Sequence, residues 1–151
     1  MKDILEQVEV AKLSAQRAEG LPCDRKRILI VDDEALIQRL FEMVLSWELP
    51  DCKIDVVSNG VEALHAFSER HHAVLLMDLH MPVMDGQAAF REIQSRCRTK
   101  NWEMPAVVFC TGYAPPASLT SVLAANGTHC LLSKPVSNEV LIDAVKSRLQ
   151  S

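Results

Sequence analysis

The sequence lacks most of what would mark a membrane, secreted or nucleic-acid-binding chain. No run approaches the ~18 consecutive apolar residues of a membrane helix, and the opening MKDILEQVEV mixes charges where a signal peptide would carry an apolar core. Lys and Arg total 16 against 20 acids, a formal charge of -4, and they form no basic run or basic aromatic stripe, so a phosphate backbone is not the expected partner. The five cysteines, at 23, 52, 97, 110 and 130, are odd in number and scattered, with no Cys-x-x-Cys pair and no His at ligand spacing. That pattern argues against a disulfide frame or zinc site and for reduced, mostly buried thiols. These absences lead us to expect a soluble, cytoplasmic protein with no direct nucleic-acid or membrane contact.

What is present suits one globular core. A chain of 151 residues, 48% apolar and 24% charged, can bury roughly 68–70% of its unfolded surface. From residue 27 onward, short apolar runs (Ile28-Leu29-Ile30-Val31, Ile54-Asp55-Val56-Val57, Ala73 to Met77, Ala106 to Phe109 and Cys130-Leu131-Leu132) alternate with segments of helical period. Most runs are continuous rather than alternating, as in strands covered on both faces. The helical stretches carry Leu36, Ile37, Leu40, Phe41 and Val44, then Ala63, Leu64 and Phe67, then Ala89, Phe90 and Ile93. A fourth follows Pro115-Pro116, and the last spans about Asn138 to Leu149, with Leu141, Ala144 and Val145 inward and Ser137 as N-cap. Five strand-helix units in a row predict an α/β, doubly wound, five-stranded parallel sheet.

Residues 1–24 stand apart as an extra N-terminal helix and linker, leaving 25–151 as the domain. Ile4, Val8, Ala11, Ala15 and Ala18 repeat at spacings of four and three before Gly20-Leu21-Pro22 interrupts. A seam this short and alanine-rich reads as a packed helix or linker rather than a stable coiled coil, although it could also mediate homodimer formation.

Ligands of open parallel sheets bind beyond the carboxyl ends of the strands. Those ends carry Asp32-Asp33, Asp78, Thr111-Gly112 and Lys134-Pro135, so three acids, a hydroxyl and an ammonium should share one rim. Singly, each is an ordinary cap or turn residue. Together they are chemically complementary. Clustered acids repel unless a cation sits among them. Mg2+ is the natural choice, because it binds through one or two carboxylates and completes its octahedron with waters and phosphate oxygens. With Lys134 and Thr111 to meet phosphoryl oxygens, the set suits phosphoryl transfer to a carboxylate, with Asp78 as nucleophile.

The motifs Ile28-Leu29-Ile30-Val31-Asp32-Asp33-Glu34, Ser58-Asn59-Gly60-Val61-Glu62-Ala63-Leu64, Met77-Asp78-Leu79-His80-Met81-Pro82-Val83-Met84-Asp85-Gly86, Thr111-Gly112 and Lys134-Pro135 resemble the receiver domain of two-component response regulators. The resemblance covers about residues 25 to 150 and implies a flavodoxin-like fold of strand order 2-1-3-4-5. It implies that Asp78 is the phospho-acceptor and that Asp32 and Asp33 organise the metal. Lys134 would pair with the phosphoryl group, Thr111 would be the switch hydroxyl, and the His80 backbone carbonyl would be a further Mg2+ ligand. It also implies a cis Lys134-Pro135 peptide.

The partners it implies are a histidine kinase or histidine phosphotransfer protein, with output through contacts to a downstream protein. The chain would be a signalling switch with its own slow chemistry, not an enzyme. Aspartyl phosphatases carry a second Asp two residues after the nucleophile, where this chain has His80. Nucleotide- or flavin-binding folds want a glycine-rich loop where it has Asp32-Asp33-Glu34. The family usually has an aromatic residue three places before the lysine, and here that residue is Leu131. His80 and Tyr113, bulky residues flanking the acceptor, are expected to shield an acyl phosphate. His71-His72 is expected to end a solvated helix, and Cys110 to be inert packing. No output domain follows the last helix in this sequence, so the expectation is a stand-alone receiver or one cut from a larger hybrid kinase or regulator.

Overall fold

The computed structural model describes residues 20–150. The N-terminal seam falls outside the described residues. Five units alternate in chain order: β1 (Asp24–Val31), α1 (Ala35–Glu48), β2 (Lys53–Val57), α2 (Gly60–Arg70), β3 (His72–Asp78), α3 (Gly86–Lys100), β4 (Ala106–Thr111), α4 (Ala117–Ala125), β5 (Cys130–Ser133) and α5 (Asn138–Leu149). The strands form one parallel sheet of order β2-β1-β3-β4-β5, the doubly wound arrangement expected.

The continuous apolar runs become the strands covered on both faces. Ile28 to Val31, Ala73 to Leu75 and Val107 to Phe109 are completely shielded from water. Burying each Val, Leu, Ile or Phe side chain among them is worth roughly 1.5–3 kcal/mol. Phe67 from α2, Phe90 and Ile93 from α3, Leu45 from α1 and Val145 from α5 close the two faces. The edge strands β2 and β5 are only half-buried. α4 is the least anchored helix, with Leu119 its one buried residue and no side-chain cap.

Local signals set the helix ends. Asn59, Asp85 and Ser137 side chains accept the amide protons of Glu62, Ala88 and Val140 at the starts of α2, α3 and α5. His71 and Asn101, both left-handed at φ 52° and 58°, end α2 and α3.

Two expectations are corrected. Of the His71-His72 pair, only His71 ends the helix. His71 caps α2 and packs edge-on against Trp102, with ring centroids 4.7 Å apart, while His72 opens β3, fully buried, with Nε2 2.7 Å from Asp55 Oδ2. The hydrogen bond to Asp55, itself bound to Arg70 at 2.7 Å, makes that burial tolerable, while burial holds the imidazole below its usual pKa. The apolar set of α1 also divides in two. Phe41 and Leu45 enter the core, whereas Leu36, Leu40, Met43 and Trp47 form an exposed outer stripe.

His129, just before β5, is buried against the edge of Phe90, and its Nδ1 accepts the Val107 amide proton at 3.0 Å. That bond requires a neutral ring. Burial, with Arg148 nearby, holds the imidazole below its usual pKa. The unfolded chain therefore binds this proton more readily than the fold does, so stability rises with pH. Urea unfolding should show stability falling as pH drops through about 6.5, the unfolded imidazole value. His129→Gln should flatten that slope, and an unchanged slope would count against this assignment.

Candidate functional site

Sheet register assembles the rim. Val31 lies beside Met77, Asp78 beside Cys110 and Thr111 beside Ser133. The residues that end or follow these strands, Asp32, Asp78, Thr111 and Lys134, therefore come level at one edge of the sheet. All the polar residues singled out from the sequence meet there. Carboxylate oxygens of Asp32, Asp33 and Asp78 lie within 4.8 Å of one another. Asp32 and Asp78 are buried and Asp33 is exposed.

Lys134 Nζ donates to Asp32 Oδ2 at 2.9 Å and stands 3.6 Å from Asp78 Oδ2. It is the residue that links the two buried acids. The peptide joining it to Pro135 is cis, and its backbone N–H donates to the Thr111 carbonyl at 2.8 Å.

The surrounding backbone presents the acids. Asp32 Oδ1 accepts the Glu34 N–H at 2.9 Å, and Asp78 Oδ1 accepts the His80 N–H at 3.3 Å. Thr111 is buried, and its Oγ1 accepts the Tyr113 N–H at 3.1 Å. The loop after Asp78 is tightly folded. Gly86 N–H donates to the Leu79 carbonyl at 3.1 Å, and a Cβ on Gly86 would stand 2.1 Å from the Asp78 carbonyl oxygen. Val83 is held at φ 70° while Met84 N–H donates to the Pro82 carbonyl at 2.8 Å. Such a three-residue turn strains a β-branched residue by about 1–3 kcal/mol.

These groups line an open cleft of about 410 Å3, bounded by Asp33, Glu34, Asp78, His80, Gly112, Tyr113 and Lys134. His80 and Tyr113 meet edge to face over its mouth, with ring centroids 4.8 Å apart. Glu34 and Gly112 stood in the sequence motifs without a role of their own and now line the cleft. Both adjoin residues that the sequence did identify, which was the available signal.

The electrostatics are those of an acid cluster short of positive charge. Burial pushes Asp78 above its ordinary pKa, Asp32 and Asp33 push the same way, and Lys134 opposes them. Burial works against the charge of Lys134, but its hydrogen bond to Asp32 and the charges of Asp32 and Asp78 outweigh this and hold it above its ordinary value. Cys110 is pushed up to about 12 by burial, so it stays a thiol at neutral pH. The donor set fits Mg2+, being three clustered carboxylates, one exposed, at an open cleft that leaves room for waters and phosphoryl oxygens.

The chain belongs to the response regulator receiver domain family, whose model matches residues 28–146. Members are phosphorylation-dependent signalling switches of two-component systems. The chain is similar to the regulatory protein AtoC of Escherichia coli, 34% identical over 125 residues that cover 82% of this chain and 25% of AtoC. It thus spans about a quarter of that relative's length. It is also similar to the chemotaxis protein CheY of Halobacterium salinarum, 28% identical over 82% of this chain and 97% of CheY. Among solved structures, the receiver domain of a sensor histidine kinase from Pseudomonas aeruginosa superposes with a TM-score of 0.68 at 24% identity, covering 83% of this chain and 98% of that one. At that identity the match speaks to the fold. That structure carries a magnesium ion coordinated in its active site cleft. Among the described residues no helix is long and apolar enough to cross a membrane.

Without a divalent cation, Asp78→Asn should raise the thermal midpoint. The acid's raised pKa means that the fold holds the charged form less readily than the unfolded chain does, so a neutral amide removes a cost present at neutral pH. A lowered midpoint would show that the attraction of Lys134 outweighs burial and the neighbouring acids.

Proposed function

We propose that Asp78 accepts a phosphoryl group from a histidine kinase or histidine phosphotransfer protein, and that the modified domain signals through contacts with a downstream protein. The observation that carries this reading is the cluster itself: Asp32, Asp33 and Asp78 within 4.8 Å of one another, with Lys134 bridging the buried pair. A buried acid pushed above its ordinary pKa, paired with a specific cation at the wall of an open cleft, is the arrangement that supports a functional role.

In the proposed step a carboxylate oxygen of Asp78 forms a P–O bond while the donor's P–N bond breaks. Its electron pair leaves on the imidazole, which then takes a proton from solvent. Mg2+, held by Asp32, Asp33, Asp78 and the His80 backbone carbonyl, would supply positive charge against the oxygens of the transferring group. Lys134, already 3.6 Å from Asp78, would contribute a second positive charge from the protein. Thr111 would receive a phosphoryl oxygen by turning its hydroxyl from the Tyr113 N–H, and the two states would differ by that contact and by the reach of Lys134. Leu131 is half-buried in β5, so the response reaches the surface by a route other than an aromatic rotamer.

We take residues 25–151 as the receiver unit, with β1 beginning one residue earlier at Asp24 and Leu21 and Cys23 of the preceding linker held against the domain, and we assign the segment before them a role in homodimer formation. The domain would work in the cytoplasm, either alone or within a larger regulator or hybrid kinase.

Incubation with a small phosphodonor and Mg2+ should add the mass of one phosphoryl group to the intact wild type and none to Asp78→Asn. An unmodified wild type, or an equal adduct on the variant, would end this reading. With the adduct in hand, His80→Ala and Tyr113→Ala should each lose phosphoryl to water severalfold faster, because the paired rings narrow the approach to the acceptor. Unchanged or slower loss would mean that the rings give no shielding.

A further inference from the structure

We infer that Gln38 is a positioning residue for the cation-binding carboxylates, an inference that rests on the proposed reading of the site. Gln38 lies on α1 and is half-buried. Its Nε2 is 2.5 Å from the Asp32 backbone carbonyl, 3.1 Å from Ser58 Oγ and 3.4 Å from the Val57 carbonyl. Two of these partners are backbone carbonyls, which can only accept, so the amide must turn its nitrogen toward them. The nitrogen has two protons, and the two shorter contacts place them on Asp32 and Ser58.

This amide completes the restraint of Asp32. The Asp32 N–H donates to the Val57 carbonyl at 3.2 Å, Oδ1 takes the Glu34 N–H at 2.9 Å, and Oδ2 takes Lys134 at 2.9 Å. Gln38 holds the remaining group, the carbonyl of the peptide that leads directly into Asp33. Asp33 is exposed and follows directly on that carbonyl, so rotation of the Asp32–Asp33 peptide would swing its carboxylate away from the other two. Ser58, at the start of the β2 to α2 connection, anchors the amide from the other side.

Mg2+ demands near-ideal octahedral geometry and tolerates displaced ligands poorly. Outer partners that orient metal ligands are typically worth 10–100-fold in affinity. Gln38 carries no charge, so its effect comes through placement and not through added field.

The test is Mg2+ titration by calorimetry on wild type, Gln38→Met, which keeps the length and removes the donors, and Ser58→Ala, which removes one anchor. It is paired with the Mg2+ dependence of phosphorylation by a small phosphodonor. Gln38→Met should weaken Mg2+ binding by about tenfold, and Ser58→Ala should weaken it less but in the same direction. The Mg2+ concentration for half-maximal phosphorylation should move more than the maximal rate does. A merely structural Gln38 would instead lower the thermal midpoint of the cation-free protein and leave the Mg2+ affinity in place. Should Gln38→Met fail to fold, Ser58→Ala carries the test alone. Wild-type Mg2+ affinity in the folded variants overturns the role of Gln38 while leaving the site reading intact. A wild type that binds no Mg2+ overturns both.

Discussion

The pairing of Lys134 with Asp32 and Asp78 is the constraint around which the rest of the structure is arranged. Two buried carboxylates facing each other in a poorly solvated rim would take up protons or push apart. A single ammonium, 2.9 Å from one and 3.6 Å from the other, keeps both in place. Its reach is set by the β4 to β5 register and by the bond from Lys134 N–H to the Thr111 carbonyl. The apolar interior of β1, β3 and β4 supplies the rigid frame that makes such placement possible. Dense packing behind the rim and unspent charge on it are parts of one arrangement.

The resting geometry also shows what must be given up in a response. Lys134 is engaged with Asp32, and the Thr111 hydroxyl is engaged with the Tyr113 N–H. A new anion at Asp78 would compete with Asp32 for Lys134 and would accept the Thr111 O–H, and turning that side chain toward it would take Oγ1 from the Tyr113 N–H. Releasing the Tyr113 N–H loosens the connection into α4, the helix with the shallowest hold on the core.

Much of this was written in the chain in readable form. Continuous Val/Ile/Leu runs marked the central strands because both faces are covered, and the last helix runs from Asn138 to Leu149 behind its Ser137 cap, as its capping and period indicate. Asp32, Asp33, Asp78, Thr111 and Lys134 could be gathered in advance because parallel topology sends every strand end to the same edge. Other features left no such trace. His72 looked like a polar helix end, and only the neighbouring strand reveals Asp55 as its partner. The apolar residues of α1 divide between core and solvent according to helix rotation, which a list of hydrophobic positions does not encode. The contacts of Gln38 are largely to backbone carbonyls, groups that every residue possesses and no sequence pattern advertises.

The Lys134 to Asp32 bond closes a loop across 102 positions of the chain. Bonds between residues so distant in sequence form only after the intervening strands have found their register, because loop closure costs entropy before the contact repays it. A chain still missing β5 would already carry all three carboxylates but no ammonium to hold them together. The ammonium that pairs the acids therefore joins the rim only once β5, and Lys134 directly after it, is in register beside β4.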